Sequence, residues 1–220
     1  MYIPRHFAAG ADDVRALLAG LGAADLVTMT DGGLVASFLP LLHEPEPGPY
    51  GRLLGHLARP NDQWSRTPTG EALVIVHGPN GYVSPTWYAA KAVHGRVVPT
   101  WNYVTAHVYG RLVVHDDPVW LQSLVRRLTE RHERGRDPVW SVDDAPEEHI
   151  AGQLRAIVGI EVLISRVEAK LKLSQNRPAS DLPGLVAGLR ADGQEELAGA
   201  VADANASRAA GETSDGTGQP

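Results

Sequence analysis

Hydrophobic and polar positions along the chain alternate over short stretches far more often than they repeat at helical spacing. The first periodic segment is the exception: Val14, Leu17, Leu18 and Leu21 recur every three or four residues behind Asp12, which predicts a short capped helix over 12–21. Ala24–Thr30 and Leu34–Leu41 then read as strands on either side of Asp31-Gly32-Gly33, a strand–turn–strand signal. Leu53–Ala58, Ala72–His77 and Tyr82–Tyr88 are further short apolar or aromatic runs separated by Pro, Gly and Asn. Val97–Tyr109 and Arg111–His115 predict a hairpin about Gly110. Asp116-Asp117-Pro118 opens a helix with a capping carboxylate and an early Pro, and Gly135 closes it. A second helix is expected over 147–156, a strand over 157–167 running into 170–177, and amphipathic helices near 181–191 and 194–204.

Seven or so short strands at hairpin spacing, with helices gathered late, predict a mainly β protein: an antiparallel barrel with helical additions, in one domain over residues 1–205. The last stretch, 206–220, lacks apolar content and is expected to be a disordered tail.

Composition narrows the function classes. Of 220 residues, 43% are hydrophobic and 21% charged, the balance of a soluble globular protein, and no apolar run approaches membrane-spanning length. There is no cysteine, which removes disulfides, thiolate metal sites and a cysteine nucleophile, and is compatible with the cytoplasm. The formal net charge of −6 argues against a protein whose main task is gripping phosphate backbones.

The familiar nucleotide signatures are missing: no G-x-G-x-x-G follows a strand, and neither a P-loop nor G-x-S-x-G is present. The nine histidines show no metal-ligand spacing, so no metal site is expected. What stands out is recurrence. GHLARPN (55–61), YVSPTWYAAK (82–91), VPTWNY (98–103) and KLKLSQNR (170–177) embed cations, hydroxyls, amides and rings in strand-like sequence. Phosphate calls for cations and hydroxyls, and a flat heteroaromatic calls for apolar walls with amides at its edge. A flavin mononucleotide needs both, although pyridoxal phosphate-like or haem-like ligands suit the same mixture. In VVPTWNYVTAHVYG, strand alternation sends Thr100 and Asn102 to one face and Trp101, Tyr103 and His107 to the other.

Those segments, taken in order with MYIPRHF, DDAPEEHI and GLRADG, resemble the PaiB family of FMN-binding negative transcriptional regulators over residues 1 to about 193. The resemblance implies an antiparallel split β-barrel with C-terminal helices, related to pyridoxamine-phosphate oxidase. It also implies a homodimer with FMN sites at the interface. Carried onto this chain, the flavin contacts would be Arg59, Asn61, Ser84, Trp87, Tyr88, Lys91, Trp101, Asn102, Lys172, Ser174, Gln175, Asn176 and Arg177. Arg59, Lys91 and Ser84 are expected at the phosphate, Trp87 and Trp101 against the ring or the dimer seam, and Asn102, Gln175 and Asn176 at the ring edge or ribityl chain. The chain departs from the family pattern at Phe38, Pro60 and Leu171. A regulator or redox sensor is the leading expectation, beside an FMN-dependent oxidoreductase acting on a small molecule and a haem-binding split-barrel protein. Direct DNA binding is suggested only by the family name, because no helix-turn-helix with a basic recognition helix is legible.

Overall fold

The computed structural model describes the backbone of residues 1–214 and the side chains of residues 1–206. Six strands carry the fold: β1 (Ala23–Thr30), β2 (Gly33–Glu44), β3 (Arg52–Ala58), β4 (Ala72–Val83), β5 (Thr100–His115) and β6 (Ile157–Lys172). They join in the order β1-β2-β3-β6-β5-β4 as a closed barrel, with β1 antiparallel to β2 and β4, and β3 antiparallel to β2 and β6. Six helices accompany them: α1 (Ala11–Ala19), α2 (Ala90–His94), α3 (Pro118–Glu133), α4 (Glu147–Arg155), α5 (Leu182–Ala191) and α6 (Glu195–Ser214). The mainly β class with α additions is therefore as the alternation predicts. Among the described residues no helix is long and apolar enough to cross a membrane.

Two strands differ from expectation, for one reason. The hairpin about Gly110 is instead the uninterrupted β5, and the breaks at Gly78 and Gly81 lie inside the uninterrupted β4. These glycines are places where other chain approaches closely. A Cβ at Gly110 would lie 2.8 Å from the Leu163 carbonyl carbon and nearer still to its oxygen, and one at Gly78 would lie 2.8 Å from Val104 Cβ. The expected strand over 82–88 ends at Val83, where Ser84 caps a 3₁₀ turn over Pro85–Trp87. The last helix continues to Ser214 rather than closing near 204; residues 215–220, the remainder of the expected tail, lie outside the described residues.

The chain divides into two compact units. One comprises residues 12–76 and 106–168, the other 1–11, 77–105 and 169 onward. In the first, the barrel-facing positions of β1 (Ala24, Leu26, Thr28, Thr30) are buried, and Leu41, Leu53, Leu121, Leu124 and Ile160 complete the core. α3 starts where the sequence places it: Asp117 accepts from the Val119 N–H, Pro118 opens the first turn, and Gly135 takes the left-handed conformation just beyond the end. Trp120 on α3 packs against Leu42, Leu54, Leu124 and Leu128, and a side chain at Gly159 would collide with its indole. In the second unit Leu173, Leu185, Leu189, Leu197 and Val201 form the core.

Candidate functional site

Eleven of the thirteen residues singled out from sequence fall in the second unit, and β5 explains their arrangement. Its alternation is strict: Asn102, Val104, Ala106 and Val108 are buried, while Trp101, Tyr103, Thr105 and His107 point the other way. The face that carries Asn102 is thus the inward one. Asn102 is fully buried and donates from Nδ2 to Ser174 Oγ at 2.9 Å. Ser174 sits at φ +65 in the turn after β6, a left-handed conformation uncommon outside Gly, Asn and Asp, and the Asn102 bond helps to hold it there. Gln175 completes the turn, accepting from the Leu173 N–H at 2.8 Å and donating to the Leu171 carbonyl at 2.7 Å. Asn102, Ser174 and Gln175 therefore shape the backbone of the site. Asn176 is exposed on the same turn.

The outward face carries the rings. Trp101 is 51% exposed, donates from its indole to Asn80 Oδ1 at 3.2 Å, and meets the half-exposed Tyr82 edge-on with centroids 6.5 Å apart. Lys172 lies beside them, its Nζ bonded to Thr100 Oγ1 at 2.6 Å and to the Trp101 carbonyl at 2.8 Å, and 5.9 Å from the Tyr103 ring centre. Ser84 caps the following turn, within 2.7 Å of the Thr86 hydroxyl. Lys91 on α2 is exposed, and its side chain forms no hydrogen bond or ion pair among the described residues. Val93 and Val98, in the segment beyond, are 81% and 65% exposed.

Two residues sit behind this surface. Trp87 packs on α5 across Gly184 and Gly188: a Cβ at Gly184 would strike its carbonyl oxygen, and one at Gly188 its indole. Tyr88 is buried with the Arg177 guanidinium 4.2 Å from its ring centre, and its hydroxyl forms no well-aligned hydrogen bond with the protein. Burial pushes the phenol pKa up, against the opposing pull of Arg177 and Ser174. Asp181, which sequence reasoning missed, is fully buried and accepts from the Ala90 N–H at 2.9 Å, pinning the start of α2. A lone aspartate ahead of a predicted helix signals a cap, and nothing local points to Ala90.

Arg59 and Asn61 belong to the first unit and are engaged there. Arg59 grips both Asp116 oxygens, at 2.6 and 3.0 Å, and the carbonyls of Arg155 (2.8 Å) and Ile157 (3.0 Å). That uses four of its five N–H groups and gives it a structural duty. The Arg59 hydrogen bonds hold the Asp116 carboxyl below its usual pKa. Asn61 donates to Ser37 Oγ at 2.8 Å and caps the turn that places Gln63, whose buried amide reaches the Leu26 carbonyl and Thr28 hydroxyl at 3.1 Å.

The donor types that the second unit presents suit a flavin phosphate and ring. Lys91, Ser84, Thr86 and Lys172 supply cations and hydroxyls, and Trp101 and Tyr82 supply exposed flat faces. Comparison with known proteins bears on the family and the cofactor. The family described as "Putative FMN-binding domain" matches residues 1–166, so the chain belongs to that family and FMN is its cofactor. The protein named protease synthase and sporulation protein PAI 2, from Bacillus subtilis, is 30% identical over 188 residues, 84% of this chain and 87% of that protein, in keeping with the PaiB resemblance. In structure, the flavocytochrome Anf3 of Azotobacter vinelandii superposes with TM-score 0.58 at 16% identity, covering 77% of this chain and 72% of that one. A conserved hypothetical protein of Mycobacterium tuberculosis does so with TM-score 0.57 at 8% identity, covering 81% and 94%. At those identities the likeness concerns the fold.

Proposed function

We propose that the chain is a cytoplasmic FMN-binding sensor of the PaiB type that works as a homodimer and regulates gene expression without itself gripping DNA. The observation that carries this reading is the outward row of β5 with its neighbours. Trp101 and Tyr82 expose flat faces beside the Lys172 ammonium, and Lys91, Val93 and Val98 of the same unit are exposed as well. Such a patch is suited to a flat anionic ligand roofed by a second subunit. The PaiB resemblance implies a part in regulation, and the net charge of −6 favours an indirect one.

In this reading Lys91, Lys172, Ser84 and Thr86 hold the phosphate, and Trp101 and Tyr82 flank the isoalloxazine. Asn102, Ser174 and Gln175 fix the turn that carries Asn176 and Arg177. Bound FMN supplies one- and two-electron redox chemistry; the protein's own groups bind it, orient it and exclude water. Asp181 and the Gly188–Trp87 contact hold the 84–91 segment in place.

Titration with FMN and with riboflavin tests this. Lys91→Ala and Lys172→Ala each remove a charge-assisted bond, expected to weaken FMN by about 10- to 150-fold while riboflavin changes little. Equal losses for both ligands refute the phosphate role. A monomeric mass by light scattering with FMN saturated refutes the dimer.

A further inference from the structure

The first unit holds a cavity whose lining includes none of the rings of β5. It has a volume of about 530 Å³, within the small-molecule range, and lies where the end of β3 meets α3 and α4. Its walls are apolar: Pro118 and Leu121 from α3, Ala151 and Leu154 from α4. Its polar rim consists of three charged groups, Arg59, Asp116 and Arg155. Arg59 and Asp116 are already joined by two hydrogen bonds and neutralise one another. The Arg155 guanidinium has no hydrogen-bond or ion-pair partner among the described residues, although its backbone carbonyl accepts from Arg59. The rim thus carries one uncompensated positive charge beside an apolar chamber.

We propose that this cavity binds an amphipathic monocarboxylate, an aromatic or medium-chain aliphatic acid, with its carboxylate on Arg155 and its apolar body against Leu121, Ala151 and Leu154. The charge argument selects the class. A dianionic phosphate would bring two charges to a rim that balances one, next to the Asp116 carboxylate. A neutral molecule would leave Arg155 unused, and a cation would be repelled. Apolar walls favour a hydrocarbon body over a sugar, whose hydroxyls would lack partners there. Arg155 is exposed in the last turn of α4, free to fold over a ligand without disturbing the core. The site would let a sensor read a small acid as well as the state of its flavin, and it does not depend on the FMN reading.

The test is calorimetric titration of the full chain with phenylacetate, indole-3-acetate and octanoate, each paired with its neutral amide. At least one acid should bind saturably, about tenfold or more tighter than its amide, as loss of a charge-assisted bond implies. Arg155→Gln should remove that preference, and Ala151→Phe, which fills the chamber, should abolish binding with melting temperature and FMN affinity retained. Failure of all three acids to saturate at millimolar concentration overturns the proposal, as does equal binding of acid and amide. Displacement of the bound acid by FMN would also overturn it, since the cavity would then belong to the flavin.

Discussion

Replacing Gly188 by Ala is a sharp test of how the candidate site is braced. Gly188 lies inside α5 with the Trp87 indole stacked directly on it. A Cβ there would stand 2.5 Å from the indole Cε2 and Cγ and closer to Cδ2, whereas ordinary contact begins near 3.4 Å. The ring, or the helix, must therefore retreat by about 1 Å, and overpacking of this kind costs about 1–3 kcal/mol. Gly→Ala also raises helix propensity by up to about 1 kcal/mol, which would mask part of that cost. Gly199 in α6 supplies the control, because a Cβ there meets nothing within 4 Å and gains the same propensity. The difference between Gly188→Ala and Gly199→Ala thus isolates the clash. At roughly 2–4 °C per kcal/mol for a chain of this size, Gly188→Ala should melt about 2–12 °C below Gly199→Ala. The displaced Trp87 should drag the Ser84–Tyr88 turn with it, so FMN affinity should fall in Gly188→Ala alone. Adding Trp87→Leu should restore most of the lost stability by removing the colliding ring. Equal melting temperatures for the two alanine variants refute the account, as does a double variant no more stable than Gly188→Ala.

Arg59→Ala should lower the urea midpoint, because it frees Asp116 and two carbonyls at once, while changing FMN affinity less than Lys172→Ala does. Acid sensitivity should come from two groups in the first unit. Burial lowers the His56 pKa below the usual 6.5, so its contribution is present above 6.5 and drains away as pH falls and the unfolded imidazole takes up its proton. Burial works to raise the Glu161 pKa, but His115 at 2.7 Å and Arg52 at 2.9 Å outweigh it and hold the carboxyl below its usual 4.5. Its contribution is present above 4.5 and lost as pH falls through the lower folded value. Urea midpoints measured across the acid range should lose slope below pH 6.5 in His56→Gln and below pH 4.5 in Glu161→Gln.

How far the sequence reached can be judged residue by residue. Features set by neighbours along the chain were legible. The cap at Asp117, Pro118 in the first turn and Gly135 beyond α3 are where local chemistry puts them, because each acts on backbone groups two or three residues away. The alternation of β5 was legible too, since a pleated strand sends successive side chains to opposite faces whatever surrounds it. Gly78, Gly81 and Gly110 read as breaks in the sequence, because a glycine looks alike whether it permits a turn or makes room for chain packed against it. Only the folded chain shows Leu163 lying against Gly110 and Val104 against Gly78.

The site divides in the same way. Sequence alone determined its chemistry: cations, hydroxyls and rings in four strand-like segments, three of which lie within residues 1–166 matched by the FMN-binding family. Tertiary structure decided which of them face outward. Asn102 finds Ser174 across 72 positions and turns inward, Arg59 finds Asp116 across 57 and is engaged there, and Asp181 reaches Ala90 across 91. Those partners are fixed by barrel closure and helix packing, long-range contacts that local pattern does not encode, and they separate the residues that brace the site from those left free to bind.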